Sequence, residues 1–227
     1  MTAALAIGFI LFLIVMAIVS ARKQRLAKKA QELSVGRIQL GLDAPQTKGL
    51  RSAIEAAVRG SDPTTSVGIW RLSQRVLEVV AQELDHVRFA GFLEKTAMSP
   101  DRGEAEFQTL ANNARAFFDR EVVRKDAQGL VETERNSKKA NELTDEDGEF
   151  GIDEYFVVTL IMAVRAGPLP LPAVLGAHSD VVRAVAAMHD IGERRHVGFE
   201  VIWTPAAESD ILGRDELLVE FPELAPL

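Results

Sequence analysis

Eighteen consecutive residues from Ala3 to Ser20, AALAIGFILFLIVMAIVS, carry no charge. At ~1.5 Å per residue a helix of that length spans about 27 Å, nearly the thickness of a bilayer's hydrocarbon core. Such a run is either a removable secretory leader or a retained membrane helix. A leader needs a basic start, a shorter apolar stretch and a small-x-small cleavage site. Met1-Thr2 supplies no basic side chain. Val19-Ser20-Ala21 has the size for cleavage, but Arg22, Lys23, Arg25, Lys28 and Lys29 follow at once, and a basic flank opposes translocation. The expectation is a retained anchor over residues 1–21, with the lipid bilayer as its partner. The same five cations put the following domain on the cytoplasmic side of the inner membrane and the amino terminus outside, by the positive-inside bias. As a membrane-surface patch they can also hold anionic head groups, at about 1 kcal/mol each; the competing and simpler reading is a topology signal alone.

Those five belong to a total of 26 lysines and arginines, so the remaining 21 face 33 carboxylates. A domain with that balance repels nucleic acid and the anionic leaflet. The absence of cysteine excludes a disulfide framework, a thiolate zinc site, an iron–sulfur cluster and a cysteine nucleophile. With 47% apolar and 26% charged residues, the chain has the composition of a globular protein with a proper core.

Residues 22–34 are strong helix formers and read as a basic helical stalk. Residues 35–227 read as one soluble domain. Ile38, Leu40 and Leu42 alternate with Arg37, Gln39 and Gly41, the pattern of a half-buried strand. Leu50, Ile54, Ala57 and Val58 mark a helix stopped by Gly60. Asp62-Pro63 is the expected start of a second helix reaching Leu84. Val87, Phe89 and Phe92 suggest a strand that Gly91 interrupts. Phe107, Leu110, Ala111, Ala114, Phe117, Phe118 and Val122 make an amphipathic helix over 103–123. The stretch 125–153 is charged and reads as an exposed connection. Tyr155 to Val164 is apolar almost throughout, as a strand covered on both faces must be. A short helix capped by Ser179 follows, then a strand with Val197, Phe199, Val201 and Trp203 on one face, closed by Pro205, and a last helix near 215–219. The expected fold class is α+β: the transmembrane helix, then a small mixed or antiparallel sheet of about four strands packed with helices.

The C-terminal stretch, EYFVVTLIMAV, a proline-rich turn, a short helix and GFEVIWTPAAESDILGRDELLVEFPELAPL, resembles the domain-of-unknown-function 1517 family of cyanobacteria, plastids and other bacteria. The resemblance covers Val35 to Leu227 and is strongest from Glu154 onward. It implies membrane-associated service to a complex or process, and it transfers no catalytic residues. A glycine-rich stretch near the membrane segment, frequent in that family, is missing here.

Candidate chemistry is sparse. His86, His178, His189 and His196 fit no compact ligand or acid–base pattern. Asp145, Asp147, Gly148 and Glu154 approach a calcium loop, but Leu143 stands where its first carboxylate belongs. Phosphate-binding glycine loops and a GxSxG elbow are absent. Asp85, Glu94, Glu200 and Glu208 have no spacing that pairs them. The expectations are therefore no cofactor, no metal and no catalytic residue. The favoured function is a membrane-tethered interaction or assembly protein with a protein partner in or at the membrane. The alternatives are an enzyme whose site is assembled from distant residues, and a sensor of anionic lipid. Trp203, Thr204 and Pro205 form the candidate interaction surface, with strand termination and a fixed turn as the competing reading.

Overall fold

The computed structural model describes residues 29–128, 154–205 and 212–227. The expected anchor, the stalk up to Lys28 and nearly all of the 125–153 connection lie outside them. No helix among the described residues is long and apolar enough to cross a membrane.

Among the described residues six strands form one antiparallel sheet: β1 (Leu33–Asp43), β2 (Val87–Met98), β3 (Glu154–Arg165), β4 (His196–Thr204), β5 (Leu212–Gly213) and β6 (Ala225–Pro226). Their order is β4-β3-β1-β2-β6, and β5 pairs with the start of β3 where β4 has ended. The helices are α1 (Leu50–Arg59), α2 (Ser66–Ala81), α3 (Pro100–Gln128), α4 (His178–His189) and α5 (Arg214–Glu220). The α+β class holds, with four long strands and two of two residues.

Strand β3 lies between β1 and β4, and its side chains from Tyr155 to Val164 are all buried, as an unbroken apolar run requires. On one face Ile38, Leu40, Phe156, Val158, Leu160 and Met162 meet α1, α2 and α4 through Leu50, Ile54, Val76, Leu77, Val185 and Met188. The other face carries two smaller clusters. Leu110 and Ala111 of α3 cover Val35, Ile161 and Ala163, whereas Leu212, Leu217, Phe221 and Leu224 of the C-terminal segment cover Phe89, Tyr155 and Val157.

Four expectations need correction. Strand β1 begins at Leu33, inside the stretch expected to be stalk, and it is buried on both faces rather than one. Helix α2 starts at Ser66: Thr65 is extended and its hydroxyl accepts from the Gly68 amide. Asp62 instead accepts from the Thr64 amide in a turn, a local bond that competes with helix initiation. Helix α4 starts at His178, with the Asp180 carboxylate accepting from the Ala177 amide, so Ser179 lies within the first turn. Finally, a register shift between Ala163 and Val164 inserts an extra residue into β4 and turns the side chains before it to the opposite face. Val197 therefore packs with the α3 cluster, while Phe199, Val201 and Trp203 face the main core.

Candidate functional site

Trp203, Thr204 and Pro205 stand at the end of β4, where a cis Thr204-Pro205 bond closes the strand. Trp203 is half-buried against the main core, and Thr204 and Pro205 are buried. Arg51 of α1 anchors this turn: its Nη2 donates to the Pro205 carbonyl at 2.6 Å, and its guanidinium lies 5.4 Å from the centre of the Phe156 ring. Arg51 is buried. Its neighbour Leu50 carried the helix pattern, and nothing in the spacing marked the arginine as an internal tie. Of the membrane-surface residues only Lys29 is described, and it is exposed; Arg22, Lys23, Arg25 and Lys28 lie outside the described residues.

The histidines are dispersed. His178 Nε2 is 3.4 Å from Asp85, His189 Nε2 is 3.6 Å from Glu78, and His86 Nε2 is 3.9 Å from Glu83. His196 is buried, tilted against Phe199 at 6.5 Å between ring centres. Burial without a hydrogen-bond partner for Nε2 among the described residues pushes its pKa down to about 4. No group of three or more potential metal-ligating side chains occurs among the described residues; the Asp145–Glu154 stretch lies almost wholly outside them. The carboxylates stay apart as well. Glu94 accepts from the Leu169 amide at 2.7 Å, and burial raises its pKa. Glu200 pairs with Arg115 at 2.6 Å. Glu208 is outside the described residues.

A polar strip on the second face, between the α3 cluster and the C-terminal cluster, was invisible in the sequence. Gln39 Nε2 donates to Thr159 Oγ1 at 3.3 Å. Beside it the buried Arg37 forms an ion pair with Glu223, which leaves only half of its own side chain covered. Burial lowers the Arg37 pKa, and its Nε has no hydrogen-bond partner among the described residues. Removing one member of a buried pair leaves an uncompensated charge, whereas an apolar isostere avoids the desolvation cost. Glu223→Ala is therefore expected to cost about 1–2 kcal/mol, reduced from a fully buried pair because Glu223 reaches water. Arg37→Met should change stability by less than about 1 kcal/mol. Urea denaturation of both variants checks the inequality, and equal losses would contradict it.

At the end of the sheet where β1 begins, a cavity of about 670 Å³ opens between the residues just before β1, the first turns of α3 and the β3–β4 edge. Leu33, Phe107, Ala163 and Val197 form its walls, and Gln31, Glu104 and Arg165 stand at its polar margin.

The FLUCTUATING-LIGHT-ACCLIMATION protein 1, chloroplastic, of Arabidopsis thaliana is 27% identical over 223 residues, covering 97% of this chain and 54% of that protein. Protein FLAP1 homolog A of Synechocystis sp. is 26% identical over 198 residues, 87% of this chain and 58% of that one. The chain thus spans little more than half the length of the curated relatives it matches. No solved structure matches. The profile of the protein family of unknown function DUF1517 matches residues 32–227, which is the whole described sheet with all its helices, and the chain belongs to that family.

Proposed function

We propose that the chain is a membrane-tethered interaction or assembly protein, and that the process it serves is adjustment to changing light, as the plant relative's name states for that protein. The observation that carries this reading is the way the domain meets its lead-in. Residues 29–31 are helical and β1 starts at Leu33, so only Glu32 separates this short helical lead-in from the central part of the sheet. An anchor over residues 1–21 would then hold the domain in a restricted orientation at the cytoplasmic membrane surface, and tethering raises the effective concentration of even weak partners. The domain's internal ionic groups support the same reading. Arg37, Arg51, Glu94 and Glu200 each hold another part of the fold, so they serve the frame, and the half-exposed Trp203 beside the fixed turn remains an aromatic contact point for a partner.

The test is crosslinking in intact membranes, affinity purification and mass spectrometry, comparing the native chain with one truncated before Lys29. Cutting there spares Leu33 and Ser34, which the sheet needs. A stoichiometric membrane partner that is lost on truncation is the expected result. Recovery of the native chain from the carbonate-soluble fraction, or in crosslinks to nothing but itself, would defeat the proposal.

A further inference from the structure

The cavity beside the start of β1 combines three properties. Its walls are apolar: Leu33, Phe107, Ala163 and Val197. Gly198 lines it without a side chain: a Cβ there would stand in ordinary van der Waals contact with the Phe107 ring at 3.6 Å, so a longer side chain is the means to fill the space beside that ring. Its volume, about 670 Å³, lies within the roughly 300–1,000 Å³ of sites that bury small organic ligands. At the margin, Arg165 is exposed and its guanidinium has no ion-pair partner among the described residues. Glu104 and Gln31 stand on the same margin, which gives a polar head both donors and acceptors.

The length of chain leading to the cavity says what can reach it. Gln31, on the margin, follows the last residue of the apolar run by eleven positions. A helical stalk, the expectation from the sequence, would be ~16 Å long over that distance, and the head-group layer itself occupies about 5–8 Å on each side of the hydrocarbon. Such a stalk would hold the opening within about 10 Å of the lipid heads. We propose that this cavity takes one acyl chain of a membrane lipid, with the polar head held at the Arg165, Glu104 and Gln31 margin. The site rests on the tethered reading for its supply of ligand, and it adds to that reading a lipid contact made by the folded domain rather than by the basic stalk.

The experiment uses the full chain reconstituted in phosphatidylcholine vesicles containing phosphatidylcholine with a diazirine at the acyl terminus, irradiated, digested and mapped by mass spectrometry. Labels are expected on peptides of residues 3–20, which report the anchor, and on peptides containing Leu33, Phe107 or Val197, which report the cavity. Gly198→Leu and, independently, Val197→Phe fill the space; each is expected to reduce cavity labelling at least tenfold while labelling of 3–20 is retained. Thermal melts establish that at least one of the two is folded. Labelling restricted to 3–20 overturns the lipid site and leaves the tether standing. Undiminished cavity labelling in a folded filling variant also overturns the site, and no labelling anywhere overturns both readings.

Discussion

Gly91→Val is expected to loosen the C-terminal segment and to cost about 2–3 kcal/mol, the range for forcing a side chain into packed space. Gly91 lies in β2 opposite Gln39, and a Cβ there would come within 2.4 Å of the Glu223 carbonyl oxygen and 3.0 Å of its carbon. These are backbone atoms, so no rotamer relieves the clash. The C-terminal segment must lift, and with it Phe221 and Leu224, both buried, and the pairing of Phe89 and Ala90 with β6. Urea denaturation gives the loss of stability. Limited digestion with a Glu-specific protease gives its location, because cleavage after Glu220 and Glu223 should accelerate well before any site in α2 is cut. Wild-type cleavage rates in the variant would show that the segment tolerates the side chain.

The second large effect is on acid stability. His196 titrates near 4 in the folded protein against an ordinary value of about 6.5, because its buried ring resists charge. The folded state therefore binds fewer protons than the unfolded chain between those two values. The contribution of the neutral ring is complete above pH 6.5, falls as acid is added, and is gone once the pH passes below about 4. About 2–3 kcal/mol should disappear across that window. Glu94 works in the opposite sense, since burial raises its pKa and its folded form takes up a proton more readily. Asp62 and Asp180, held below their ordinary values by Thr64 and by Arg183, lose their contributions at still lower pH. Denaturation midpoints measured from pH 7 to pH 4 should decline in the wild type, and His196→Phe should flatten the slope. An equally steep decline in the variant would assign the acid sensitivity elsewhere.

Strand β3 was legible because a strand covered on both faces has no choice but an apolar run, and Tyr155–Val164 is one. Strand β1 was misread on one side for the converse reason. Arg37 and Gln39 obey the alternation of a half-solvated strand, yet a partner carboxylate from Glu223 and a hydroxyl from Thr159 allow both to be buried. Partners more than a hundred residues away leave no local trace in spacing. Gly91 looked like a defect in a strand and is instead the place where another backbone passes close. The shift in β4 had no glycine or proline at the displaced residue to announce it, so His196 and Val197 exchanged faces unseen. For the candidate sites, Trp203-Thr204-Pro205 was found through its place at a strand end, but Arg51, which fixes that end, was not. The cavity was equally hidden, since Leu33, Phe107, Ala163 and Val197 meet there only through the order of the sheet.

The entry of the chain into β1 has a mechanical consequence. This strand is hydrogen-bonded on both sides, to β2 and to β3, and it receives any pull transmitted along the chain from residue 29. A force applied along a doubly paired strand loads many of its hydrogen bonds at once in shear, so none can be opened singly. The two-residue pairing of β6 on β2 has no such sharing and can peel one bond at a time. Pulled between residue 29 and the carboxyl terminus, the sheet would hold at its centre and yield first at its carboxyl-terminal edge.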